Sequence, residues 1–199
     1  MNIPYVSIAI CAVLIVFELL INLIYKNRED IKKKFCYLEN KTISINNFYK
    51  IYTSLITHNS FWLHFFPNLI ITAVMGTLLE NQIGTTKMMK FVLICIFVFW
   101  TFIYLLGIKP KTGCGSSAIF YAFFSYYFTI KASYEKTEIN RGLYLLTPIL
   151  ILGFIHIIGR VVSNSTEFTH VLSLMYGYMS GIYYSQSHSR NNYFNLYSS

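Results

Sequence analysis

The sequence predicts an all-α fold, a polytopic bundle of six transmembrane helices forming one domain over residues 1–199. Three observations predict it. Of the 199 residues, 55% are hydrophobic and only 12% charged, outside the balance of ordinary soluble domains. Apolar stretches recur at roughly 4–25, 61–79, 89–107, 117–132, 143–159 and 168–186, most of them close to the about 20 residues that cross a bilayer as a helix. The loops between them are short. Backbone polar groups in lipid must be satisfied within each segment, which leaves a helical bundle as the architecture.

The first stretch has no basic leader, runs past about 20 residues and lacks a small-residue cleavage pattern, so it reads as a retained helix. Glu18 sits inside it. A carboxylate facing lipid is costly, so Glu18 is expected to turn into the bundle and be hydrogen-bonded or protonated. The longest non-membrane stretch follows, at about 26–60, opening Lys26-Asn27-Arg28-Glu29-Asp30 and carrying Lys32-Lys33-Lys34. Phe48, Tyr49 and Tyr52 mix aromatic with polar character there, which suits a segment lying in the headgroup zone. The lysine run reads as an edge contacting phospholipid. The lipid bilayer is therefore an expected partner, and nucleic acid is not.

The second stretch places His64, Asn68, Thr72, Gly76 and Glu80 four residues apart, on one helix face. Such a row must look inward. It has two readings: polar groups that cross-bond helices, with small residues allowing close approach, or donors aimed at a developing oxyanion. Pro67 removes a backbone donor just before Asn68.

The fourth and sixth stretches are rich in Ser, Tyr and Gly, as suits helices at the centre of a bundle. The fourth opens with Gly115-Ser116-Ser117-Ala118. A serine two residues after a glycine, at the mouth of a buried helix, is a candidate nucleophile, because the glycine lets a substrate approach the backbone. The sixth carries His170 and then Ser173, Gly177 and Gly181, a small-residue stripe that lets two helix backbones come close. Ala118, Ala122 and Ser125 offer the matching face. If these faces meet, Ser117 comes within reach of His170. A lone membrane histidine is more often a structural hydrogen-bonder, and the stripe is the physical reason to expect otherwise. The polar end at 187–199 is expected to be a mobile tail. Cys11, Cys36, Cys95 and Cys114 show no metal-binding spacing. No metal or cofactor is expected, and Cys114 reads as a bystander.

Together these residues resemble the rhomboid family of intramembrane serine proteases along most of the chain. His64, Asn68, Gly76 and Glu80 are similar to the family's histidine–asparagine helix. Gly115-Ser116-Ser117 with Tyr121 is similar to its Gly-x-Ser element, and His170, Ser173 and Gly177 to its histidine helix. Tyr49-Lys50 is a weaker echo of a Trp-Arg pair in the family's first loop. The resemblance implies a Ser–His dyad without an acidic third member. Ser117 would attack the scissile carbonyl and His170 would move the proton. His64, Asn68 and the Ser117 N–H would hold the oxyanion, and Tyr121 would pack on the imidazole. Gly113 and Gly115 would let the preceding loop dip into the membrane. Single-pass transmembrane proteins are the implied substrates.

The sequence departs from the family pattern in places. Ala118 stands where glycine is usual. Ser116 is a rival nucleophile, although only Ser117 aligns Gly115 and Tyr121 together. The step from His58 to His64 is one residue longer than usual, so His58 carries over poorly. The family places its nucleophile near the extracytoplasmic face, yet ten of the 16 Lys and Arg residues fall on the first-loop side, among them Lys26, Arg28, Lys41, Lys50, Lys109 and Arg160. The positive-inside tendency opposes that orientation; the family's is nonetheless the expected one, since the first loop lies in the interface. Two other classes remain. A catalytically inactive relative that binds membrane clients shares the fold, and the intact Ser and His argue against it. A small channel or transporter would need paired inverted repeats, which the sequence lacks.

Overall fold

The structure, a computed structural model, describes residues 3–25, 27–38, 49–58, 60–99, 112–113, 115–162 and 167–197. Helix α1 spans Tyr5–Ile24 and is followed by the short helix α2, Arg28–Phe35. Strand β1 is Tyr37–Leu38, and helix α3 is Lys50–Ile56. A π-helical turn, Phe61–Phe65, leads into α4, Phe66–Ile83. Helix α5, Thr85–Leu93, continues as a second π segment, Ile94–Phe99, and strand β2 is Thr112–Gly113. Three long helices complete the chain: α6, Ser117–Tyr134; α7, Glu138–Val162; and α8, Glu167–Tyr197. The described protein is thus all-helical except for one antiparallel bridge of two residue pairs, Tyr37 with Gly113 and Leu38 with Thr112.

Helices occupy the described parts of all six stretches singled out by apolar length. Among the described residues, two of them, Tyr5–Ile24 and Phe61–Ile83, are long and apolar enough to cross a membrane on composition alone. Serine, threonine and tyrosine dilute α6 and α8. The second half of the third stretch, 100–107, lies outside the described residues, as do Phe48, Cys114 and the cations Lys26, Lys41, Lys109 and Lys111. The stretch at 26–60 contains α2, β1 and α3, which are too short to leave a periodic signal. Helix α8 runs to Tyr197 rather than ending near 186, because no glycine or proline interrupts 187–197.

The exterior is as apolar as the core, and several polar groups are buried within it. Glu18, Thr72, Ser125 and Ser173 are fully buried, while Leu23, Leu63 and Ile139 are each more than three-quarters exposed, at 82%, 78% and 79%. An apolar exterior that encloses buried polar groups has its lowest free energy in lipid. Helix α6 is the central element and packs on α4, α7 and α8. Met75, Leu79, Phe91, Ile119, Phe123, Tyr126 and Ile130 form the core around it. Phe91 stacks on Tyr176 at 4.9 Å, and the Tyr176 hydroxyl donates to the Phe91 carbonyl at 3.1 Å.

One buried carboxylate fixes the position of α1. Glu80, at the far end of α4, accepts from Val6 N at 3.0 Å, Ser7 N at 2.8 Å and Ser7 Oγ at 2.7 Å. The first N–H groups of a helix have no carbonyl within it, and the helix dipole favours a negative charge beside them. Glu80 supplies both needs from another helix. The first loop is tied down in a similar way. Tyr49 donates to Lys34 O at 2.9 Å and Thr53 to Phe35 O at 2.7 Å, so α3 satisfies the end of α2.

Candidate active site

The site begins where β2 hands the chain to α6. Gly113 is paired within β2 rather than lying in an irregular loop. Gly115 has φ of 120°, a region that side chains rarely adopt. Its N–H donates to Ser54 O at 2.7 Å. A Cβ built there would stand 2.7 Å from His64 Nε2 and 3.3 Å from Asn68 Nδ2. Glycine is therefore required twice, by the backbone and by the two side chains converging on it.

The two serines that follow diverge. Ser116 is fully buried; its N–H donates to His58 Nε2 at 3.2 Å, and its Oγ lies 3.2 Å from the same nitrogen. Ser117, the first residue of α6, has its Oγ 2.8 Å from His170 Nε2. Its own N–H belongs to the helix's first turn, where no carbonyl within the helix is in reach.

His170 is carried by α8, and the packing of α8 on α6 sets its distance from Ser117. A Cβ at Gly177 would overlap Ser125 Oγ and Ala122 O, and one at Gly181 would stand 2.6 Å from Thr129 Cβ. The two backbones are as close as glycine allows. Ser173 is buried on the same stripe, and Ala118 and Ala122 are buried on α6. The Tyr121 ring, one turn along α6 from Ser117, lies 4.7 Å from the His170 ring at an angle of 52°.

His64 and Asn68 reach Gly115 through an irregular stretch of helix. Phe65 N donates to Ser60 O at 2.8 Å, an i→i+5 bond, and Phe66 N returns to Phe61 O. A π turn inserts one residue into a helix. That insertion absorbs the longer step between His58 and His64, so both histidines still face the site, with their rings 5.2 Å apart. Pro67, with no N–H, falls in the first turn of α4, where the hydrogen-bond register changes. Asn68 is buried, and its Nδ2 has no hydrogen-bond partner; Thr72 Oγ1, one turn on, is in the same state. An unpartnered buried donor is costly, and this one is aimed at the turn before Ser117.

Two further groups join the site that the sequence did not assign to it. His58 is fully buried beside Ser116, and its Nδ1 lies 3.8 Å from Glu18 Oε2, also fully buried. Glu18 thus turns inward, where Asn22 Nδ2 donates to its Oε1 at 3.2 Å. The extra residue before His64 concealed the first group. The second comes from a different helix, and no local pattern announces that contact.

The arrangement offers a hydroxyl on an imidazole, donors converging beside it, and a helix N-terminus. Among the described residues no group of three or more His, Cys, Asp or Glu is placed to hold a metal ion. Cys36 is disulfide-bonded, whereas Cys11 and Cys95 are free. Residues 46–187 match a family described as the Rhomboid domain, a segment that contains every group named above except Glu18 and Asn22 on α1 and Cys11 and Cys36 ahead of the matched segment. Comparison with curated proteins finds no match to the chain.

Proposed function

The chain belongs to the rhomboid family and is an integral membrane protein, and from that premise we propose that it is an intramembrane serine endopeptidase that crosses the bilayer several times. The observation that carries the reading is the 2.8 Å contact between Ser117 Oγ and His170 Nε2. Ser117 Oγ attacks the scissile carbonyl carbon while its proton passes to Nε2. The carbonyl π electrons move onto oxygen, and His64, Asn68 and the Ser117 N–H donate to that oxyanion. Collapse breaks the C–N bond, and the proton on Nε2 goes to the departing amine. Water then gives a proton to His170 and hydrolyses the acyl-enzyme, returning Ser117.

Asn68 supports the oxyanion role, since its Nδ2 is buried and free to donate. Tyr121 packs against the imidazole and limits its rotation. The substrates are transmembrane segments of membrane proteins, single-pass ones in the simplest case. A helical segment has its carbonyls hydrogen-bonded, so it must unwind locally to present one to Ser117.

The test is cleavage of a model transmembrane substrate by the purified chain, beside Ser117→Ala. Cleavage is expected from the first and not from the second. A chain that holds the substrate without cutting it, and takes up no fluorophosphonate, is an inactive client-binding relative instead.

A further inference from the structure

We propose that Glu18 and His58 are a buried positioning pair beneath the oxyanion pocket, with Glu18 fixing the tautomer of His58 and His58 holding both walls of the pocket. The proposal rests on the protease reading above. It concerns how that site is held, and Glu18 lies ahead of the segment that matches the family.

The geometry of His58 selects between its two neutral tautomers. Ser116 N–H donates to Nε2 at 3.2 Å, so that nitrogen presents a lone pair. In the neutral ring the proton is then on Nδ1, facing Glu18 Oε2 at 3.8 Å. Glu18 favours this tautomer electrostatically, and both side chains are fully buried, where such a preference is least screened. On its other sides the His58 ring stands edge-on to His64 and to Phe65, each at 5.2 Å. One imidazole therefore touches the wall that supplies His64 and the turn that leads into Ser117.

That turn has two anchors, Ser54 O on Gly115 N and His58 Nε2 on Ser116 N. Together they aim the next N–H, that of Ser117. With the opposite tautomer His58 would set an N–H against the Ser116 N–H, and the turn would be pushed away. A carboxylate inside a membrane helix is costly and is retained for a use. Keeping the pocket in register is a use that Glu18 can serve from α1 without touching substrate.

The experiment is a steady-state comparison of the full-length purified protein with Glu18→Leu, Glu18→Gln and His58→Phe, with Tm measured on each. Glu18→Leu is expected to lower kcat about 10- to 100-fold with KM and Tm unchanged, since displacement of about 1 Å at a reacting centre costs about that much. Glu18→Gln, whose amide oxygen still turns a negative dipole end toward Nδ1–H, is expected to recover most of the rate. His58→Phe should match Glu18→Leu, and the double variant should lose no more than either alone. Full kcat in Glu18→Leu overturns the proposal. So does a rate that falls only with the folded fraction, a Gln variant no better than Leu, or additive losses in the double variant. A wild-type chain that neither cleaves nor labels with fluorophosphonate defeats the protease reading itself, an outcome distinct from all of these.

Discussion

Ser116 and Ser117 are adjacent, and the chain gives them different neighbours. Ser117 Oγ meets His170, whereas Ser116 is enclosed against His58. Ser117→Ala is therefore expected to lower cleavage about a thousandfold or more, while Ser116→Ala keeps most of it, since its backbone N–H still reaches His58. A fluorophosphonate label that survives Ser117→Ala and is lost with Ser116→Ala reverses the assignment. Asn68 permits a sharper separation. Its Nδ2 is buried without a partner, so Asn68→Ala removes an unsatisfied donor rather than a made bond. Its kcat should fall about 10- to 1,000-fold with KM and Tm unchanged or Tm slightly raised. Normal kcat with a lowered Tm would show Asn68 to be a packing residue. The Gly115–Ser117 pairing was legible because glycine at that spacing is a local signal. The place of His58 was not, because a π turn resets the register and leaves no periodic trace.

At the scale of elements, apolar length located the six main helices, since a stretch near bilayer thickness is a strong compositional signal. The pairing of α6 with α8 was legible too, from small residues at every fourth position. The β1–β2 bridge was not, because Tyr37 and Gly113 are joined only by the folded chain. The α6–α8 contact sets the distance between Ser117 and His170, so it can be tested through activity. At Gly177 even a methyl group would overlap Ser125 Oγ and the Ala122 carbonyl, part of which is backbone that cannot swing aside. Gly177→Leu is expected to lower activity and Tm together, and Gly177→Ala to do so less severely. Full turnover with an unchanged melting temperature in Gly177→Leu would mean that α8 does not approach α6 along this stripe.

At the scale of the molecule, charge and redox chemistry give opposite orientations. Ten of the 16 Lys and Arg residues fall on the side of the first loop, which the positive-inside tendency assigns to the cytoplasm. Yet Cys36, in that loop beside β1, is disulfide-bonded, and disulfides persist in oxidising compartments. The charge rule counts cations in plain loops. At least one of these is held against the protein, with Lys34 Nζ 5.2 Å from the centre of the Tyr25 ring, where an interfacial aromatic can share its charge. Disulfide chemistry is the stronger constraint, since a reducing compartment removes the bond whatever the loop's charge. The first loop, and with it the mouth of the Ser117 site, is therefore expected to face the oxidising side. In sealed membranes of known orientation, an impermeant maleimide should reach Cys36 only from that side and only after reduction. Peptide mapping without reductant should recover Cys36 only in a disulfide-linked peptide, released by reduction. Because Cys36 directly precedes β1, and β1 pairs with β2 two residues before Gly115, reduction should also slow cleavage by loosening the turn that aims the Ser117 N–H. Labelling of Cys36 from the reducing side without prior reduction would place the site on the cytoplasmic face and return the argument to the lysines.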